Sequence, residues 1–167
     1  MSFLSDFFIN LNNRQVQYVV LRNYNSLPFS TDGSDLDIYI SRDHLSVFKE
    51  CLKRLMVEYN GRLVSIIESK VCPRFCLLGL NESSWGLMID LHIQEIKYRG
   101  APIISADVIL KSTTKHNDIT VLNPPVDCLI SLFKELLNNK RCTDLIYNNF
   151  IQHSLHHELL NNVFSDN

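Results

Sequence analysis

The sequence predicts an α+β domain, and three observations carry that prediction. Apolar residues recur at helical spacing near both ends of the chain and at residues 42 to 59, whereas β-branched and aromatic runs fill the stretches between. Strand-like runs at 63–67, 74–80 and 85–93 follow one another with no helix between them, which calls for antiparallel pairing rather than a succession of parallel crossovers. With 167 residues, 46% of them apolar and 20% charged, the chain can bury a core without metal or disulfide staples and is too apolar for disorder.

Leu4, Phe7, Phe8 and Leu11 lie on one face of an opening helix that Asn12-Asn13 ends. Residues 16 to 21 read as a buried strand running into the loop Arg22-Asn23-Tyr24-Asn25-Ser26-Leu27-Pro28. Ser34-Asp35-Leu36-Asp37-Ile38-Tyr39-Ile40 alternates strictly, with Leu36, Ile38 and Ile40 on one face and Asp35, Asp37 and Tyr39 on the other. Leu45, Phe48, Leu52, Leu55, Met56 and Tyr59 then predict a helix of about five turns packed on the sheet. Gly61 restarts the chain, and the three strands that follow are separated by Cys72-Pro73 and by an Asn81-Glu82-Ser83-Ser84 turn. Residues 105 to 111 read as a short helix and 119 to 122 as a short strand. Asn123-Pro124-Pro125 opens a helix expected to bury Leu129, Ile130, Phe133, Leu136 and Leu137. A last helix near residues 144 to 164 carries Leu155, Leu159, Leu160 and Val163. The expected organisation is a core over 1–122 and a helical segment over 123–167 packed on it.

A formal charge of −2 gives no field that would attract a nucleic-acid backbone, so an anionic ligand must be held by local geometry. Five cysteines, an odd set with no basic, cleavable leader ahead of them, read as reduced thiols of a cytoplasmic protein. No run of about 18 apolar residues predicts a membrane span. Cys72 and Cys76 read as buried thiols rather than half of a zinc site, because no second Cys or His pair stands at a matching spacing. His153, His156 and His157 share one helix face, which is read as polar surface. The apolar C-terminal helices leave a homodimer open.

The chemistry concentrates in three carboxylates. Asp35 and Asp37 project from one strand face with α-carbons roughly 6.7 Å apart, where like charges repel unless a cation lies between them. Oxygen ligands without thiolate favour Mg²⁺ or Mn²⁺, with Mg²⁺ usually shared between carboxylates and substrate phosphates. Leu87-Met88-Ile89-Asp90-Leu91-His92-Ile93 places Asp90 and His92 on one face amid apolar residues, a poor strand setting for a lone acid. On a neighbouring strand, Asp90 would complete a three-carboxylate set able to hold two divalent ions for an in-line displacement at phosphorus.

In this respect the chain resembles the DNA polymerase beta-like nucleotidyltransferases. Gly33-Ser34-Asp35-Leu36-Asp37-Ile38 is similar to their small-residue, aspartate, aliphatic, aspartate strand, and residues 87 to 91 to the strand of their third aspartate. The wording around Tyr18 to Leu27, with Tyr98-Arg99-Gly100, also resembles small proteins of this fold from bacterial surface-polysaccharide clusters. The resemblance implies a nucleotidyltransferase-like mixed sheet flanked by helices with a helical tail. It implies Asp35, Asp37 and Asp90 as metal-binding and catalytic residues using Mg²⁺ or Mn²⁺. The activity implied is transfer of a nucleoside monophosphate from an NTP to an unidentified acceptor, a hydroxyl of a small molecule or protein. One departure matters: where the family has glycine followed by glycine or serine after its first strand, this chain has Leu21-Arg22-Asn23. Arg22 and Asn23, with Ser34, are therefore the candidate nucleotide contacts, the guanidinium and amide standing in for backbone approach to phosphate.

The competing readings are equally concrete. Asp35 and Asp37 could be the solvated face of an edge strand, and Asp90 could form an ion pair with Arg74 or Arg99. The fold would then serve as a catalytically inactive binding or regulatory module, a reading that the Arg22-Asn23 departure favours.

Overall fold

A computed structural model describes residues 2–68, 72–79, 85–98 and 101–154. Helix α1, Phe3–Asn13, is capped by the Ser2 hydroxyl, which accepts from the Ser5 amide, and it buries Phe3, Phe7, Phe8 and Leu11. Strand β1, Tyr18–Val20, leads through the long loop to β2, Leu36–Ile40. A single 3₁₀ turn, Arg42–His44, opens α2, Leu45–Glu58. Strands β3, Gly61–Ile67, β4, Arg74–Gly79, and β5, Trp85–Ile93, form the expected antiparallel run.

Three strands were not expected. A small separate hairpin joins β6, Ile96–Tyr98, to β7, Ala101–Ile104, and β8, Thr113–His116, pairs with β9, Ile119–Leu122. Segments of three or four residues are too short to show alternation, and polar β8 is held by its neighbour rather than by its own pattern. Between them lies α3, Ala106–Lys111, capped by Ser105. Helix α4, Pro124–Lys134, has the Asn123 cap and the prolines of its first turn, and continues as a π-type turn over Glu135–Asn139. Helix α5, Asp144–Ser154, ends the described chain, so Leu155, Leu159, Leu160, Val163, His156 and His157 lie outside it, as do the 81–84 turn and Arg99-Gly100. Among the described residues no helix is long and apolar enough to cross a membrane.

The seven main strands run in the order β3-β4-β5-β2-β1-β9-β8, with β2 parallel to β5 and β1 parallel to β9, and the other neighbours antiparallel. The strict alternation of β2 sorts the sheet into two faces. Leu36, Ile38 and Ile40 join α1, α2 and Ile89 and Leu91 of β5 in one core, where the Phe7 and Phe48 rings meet edge-on at 5.7 Å. Tyr39 joins Val19, Leu21, Ile104, Ile109, Val126 and Ile130 in a second, smaller core on the opposite face. Leu136, expected in the core, is 45% exposed. It falls in the π-type turn, where the register of α4 shifts away from its apolar stripe.

At the other end, β3 forms the edge of the sheet, and every residue from Arg62 to Ile67 is exposed. Val64 and Ile67 are more than half open to water. The adjoining pairs Leu63–Val64 and Ile66–Ile67 are exposed on both faces and do not follow the in–out alternation of a strand covered on one side.

Candidate active site

Register brings the carboxylates together. In the parallel β2–β5 pair, Asp37 stands directly opposite Asp90 and Tyr39 opposite His92, so both acids leave the same face. Asp35 precedes β2 by one residue and lies on that face too. All three line a cavity of about 280 Å³. Its other wall is apolar, made by Ile103 and Ile104 of β7 and by Ile130, Phe133 and Leu137 of the α4 region, with Lys134 among them.

Side-chain cations occupy the space between the carboxylates. Arg74, directly opposite Asp90 in the antiparallel β4–β5 register, grips it with two bonds, Nε to Oδ1 at 2.5 Å and Nη2 to Oδ2 at 2.6 Å. The same Nη2 reaches Asp35 Oδ2 at 3.5 Å. The Leu21 amide donates to the Asp37 carbonyl at 2.9 Å, which sets the next residue, Arg22, beside the Asp37 carboxylate with Nη2 at 2.5 Å from Oδ2. His92 Nε2 lies 3.6 Å from Asp37 Oδ1 and 3.7 Å from the Cys72 sulfur. Of the two Asp90 partners weighed from the sequence, Arg74 is found there, and Arg99 lies outside the described residues.

These contacts set the charges. Burial by itself would raise the Asp37 carboxyl, but His92 and the Arg22 guanidinium outweigh it and hold Asp37 below the ordinary carboxylate range. Burial would likewise strip the proton from His92, yet its contacts with Asp37 and Cys72 lift it to about 9, so the imidazole is charged near neutrality. Burial and the nearby Arg22 charge depress Lys134.

Arg22 lies at the carboxylate wall of the cavity. Asn23, in a left-handed conformation with φ 55°, lines an adjoining cavity instead. Ser34 lines neither cavity; its amide donates to the Thr31 carbonyl at the turn. The three acids meet at one pocket wall, but the charge beside Asp90 is a guanidinium. Among the described residues no three His, Cys, Asp or Glu side chains are gathered to hold a metal ion.

Mg²⁺ fits in a narrower way. Asp37 Oδ2 is buried with no hydrogen bond even though Arg22 lies close, because the guanidinium approaches it as a charge without aiming an N–H at it. Asp35 meets Arg74 at a long 3.5 Å and its side chain is about a quarter exposed. Two carboxylates with spare oxygen capacity suit an ion that arrives with a triphosphate and keeps part of its coordination there.

The residues that the sequence left outside the predicted site differ in the signal they carry. Arg74 stands opposite Asp90 because Gly79 pairs with Trp85; counting outward from a four-residue 81–84 turn would instead set 74 against 91. His92 and Lys134 were visible only as neighbours of an acid and of a helix end. Asp127, on the first turn of α4, carried no signal. Burial pushes its carboxyl up to about 6, while the Tyr24 hydroxyl, the Arg22 charge and Ser131 pull the other way.

That shift predicts a pH dependence. Between the ordinary value of 3.8 and about 6, the folded chain keeps a proton that the unfolded chain has released. The Asp127 contribution therefore favours folding most below about pH 4, falls as pH rises to 6, and stays low above. Asp127→Asn is expected to raise stability at pH 7.5 by about 1–3 kcal/mol, with the gain vanishing near pH 4. Urea unfolding at the two pH values measures it.

No protein-family model matches the chain, and no curated protein does. Solved structures do. A crystal structure of ANT(2'')-Ia in complex with adenylyl-2''-tobramycin superposes with a TM-score of 0.50 at 7% identity, covering 92% of this chain and 87% of that one. A solution structure of the same antibiotic-resistance factor gives a TM-score of 0.50 at 6% identity, over 98% of this chain and 88% of that one. At such identity the likeness concerns architecture: the chain has a mixed α+β fold similar to that of the nucleotidyltransferases.

Proposed function

We propose that the protein is a nucleotidyltransferase that moves a nucleoside monophosphate from a nucleoside triphosphate to a hydroxyl of a small molecule or protein. The observation that carries this reading is the in-register Asp37–Asp90 pair, with Asp35 beside it, on one wall of a cavity whose other groups include the cations Arg22 and Lys134. In the reaction the acceptor oxygen bonds to the α-phosphorus, the bond to the β-phosphate bridge breaks, pyrophosphate leaves and the hydroxyl proton passes to water. Asp35 and Asp37 would hold Mg²⁺ or Mn²⁺, which when bound supplies positive charge against the triphosphate and acidifies the attacking hydroxyl. Arg22 and Lys134 bind phosphate oxygens and orient them; Arg22 does so with a fork matched to two oxygens at once. Asp90, fixed by Arg74 through both its oxygens, adds a third negative charge to that wall and holds the guanidinium in place. Catalysis is then positioning plus electrostatics in a partly dry cavity.

A second reading has its own observation. Arg74 takes both Asp90 oxygens, and Arg22 with His92 flanks Asp37, so the carboxylates are neutralised without any metal. The same architecture would then bind a phosphate-bearing ligand without turnover. One experiment separates the two. A nucleoside triphosphate with Mn²⁺ is expected to raise the melting temperature and to yield pyrophosphate. A rise equal with and without Mn²⁺, with no pyrophosphate formed, leaves the binding module. No rise in either condition removes both readings.

A further inference from the structure

A group transfer needs two occupants meeting at one point, and the molecule has two cavities that share part of their lining. The second, of about 300 Å³, lies between α4, α5 and the turn after β1. Arg22 and Lys134 are the residues that line both cavities. The two chambers differ in chemistry. The first pairs a carboxylate–guanidinium wall with an apolar one, whereas the second offers the hydrogen-bonding groups of Asn23, Asp127, Ser131 and Asn149.

The charges of the second cavity cancel. Arg22 and Lys134 face Asp127 and Glu135, and Glu135 lies 3.5 Å from Arg141. Every carboxylate that lines the first cavity has a cationic partner within 3.5 Å. Outside these ion pairs, among the described residues, a polycation would meet one carboxylate, Asp127, which already accepts from Tyr24 and Ser131. A neutral compound with many hydroxyls would meet amides and a hydroxyl able to donate or accept, and a carboxylate able to accept, with no ion pair to break.

We propose that the cavity between α4 and α5 is the acceptor subsite and that it takes a neutral polyhydroxyl compound, a sugar or a polyol, presenting one hydroxyl past Arg22 and Lys134 to the donor phosphate. The proposal rests on the nucleotidyl-transfer reading and adds the substrate class and its place.

The test uses the full chain with a nucleoside triphosphate and Mn²⁺, following pyrophosphate release with glucose, sorbitol, glucose 6-phosphate or tobramycin at equal concentration. Glucose or sorbitol is expected to accelerate release at least several-fold. Asn149, exposed on α5, can be enlarged with little risk to folding. Asn149→Trp is expected to abolish that acceleration and to leave the melting shift produced by triphosphate and Mn²⁺ unchanged. Acceleration by tobramycin or glucose 6-phosphate and not by the neutral compounds overturns the proposal, as does no acceleration by any of the four. So does an Asn149→Trp protein that still responds to glucose or loses its nucleotide shift. A wild-type chain without a triphosphate shift signals failure of the underlying transferase reading, which is a different result.

Discussion

Asp37→Asn is expected to abolish the metal-dependent part of the melting shift caused by a nucleoside triphosphate and to lower pyrophosphate release by at least about 10²-fold, the usual cost of losing one charge aimed at a reacting group. Asp37 is the acid with the buried, unbonded oxygen, and it is 6% exposed, so no other described group can take its place at that point. The change also leaves Arg22 and His92 without their counter-charge. Removing one partner of a buried ion pair typically costs about 3–5 kcal/mol, although an asparagine oxygen retains part of the contact. The ligand shift is therefore read against the variant's own ligand-free melting temperature. A variant that keeps the full Mn²⁺-dependent shift would place the metal elsewhere and end the case for Asp37 as a ligand.

Phe48→Ala is expected to be the most destabilising single change away from the site, at about 3–5 kcal/mol. Phe48 is fully buried on α2, meets Phe7 of α1 edge-on, and belongs to the core under Leu36, Ile38 and Ile89. Truncation leaves a cavity that two helices and a sheet cannot close around. Denaturant unfolding should show a lower midpoint with an unchanged slope. Because Phe48 lies on the sheet face opposite the carboxylates, the surviving folded protein should still respond to triphosphate and Mn²⁺. A loss of less than about 1 kcal/mol would mean that α1 and α2 do not pack as described.

Much of this architecture is legible residue by residue. The alternation of Leu36, Ile38 and Ile40 against Asp35, Asp37 and Tyr39 specifies which side of β2 is core and which carries the chemistry, because a strand has a period of two and nothing else satisfies both sets. The helical stripe of Phe48, Leu52 and Leu55 is legible for the same reason at a period of 3.6. Strand neighbours are not written in this way. That β2 lies parallel to β5, with residue 37 across from residue 90, depends on long-range pairing that no local pattern encodes. The cations that settle on the carboxylates come from β4, from the second residue after β1 and from β5, three places whose convergence exists only once the sheet has formed. The apolar wall of the cavity was visible as a helix stripe, but Phe133 and Leu137 read as ordinary core because the stripe does not say what it faces.

The bare outer margin of the sheet has a practical consequence. A terminal strand with aliphatic side chains open to solvent and a free row of peptide groups is a template on which a like strand can add. Arg62 is the sole charge that β3 sets against such stacking. A lysine in place of Val64, which lines neither cavity beside the carboxylates, is expected to oppose such stacking.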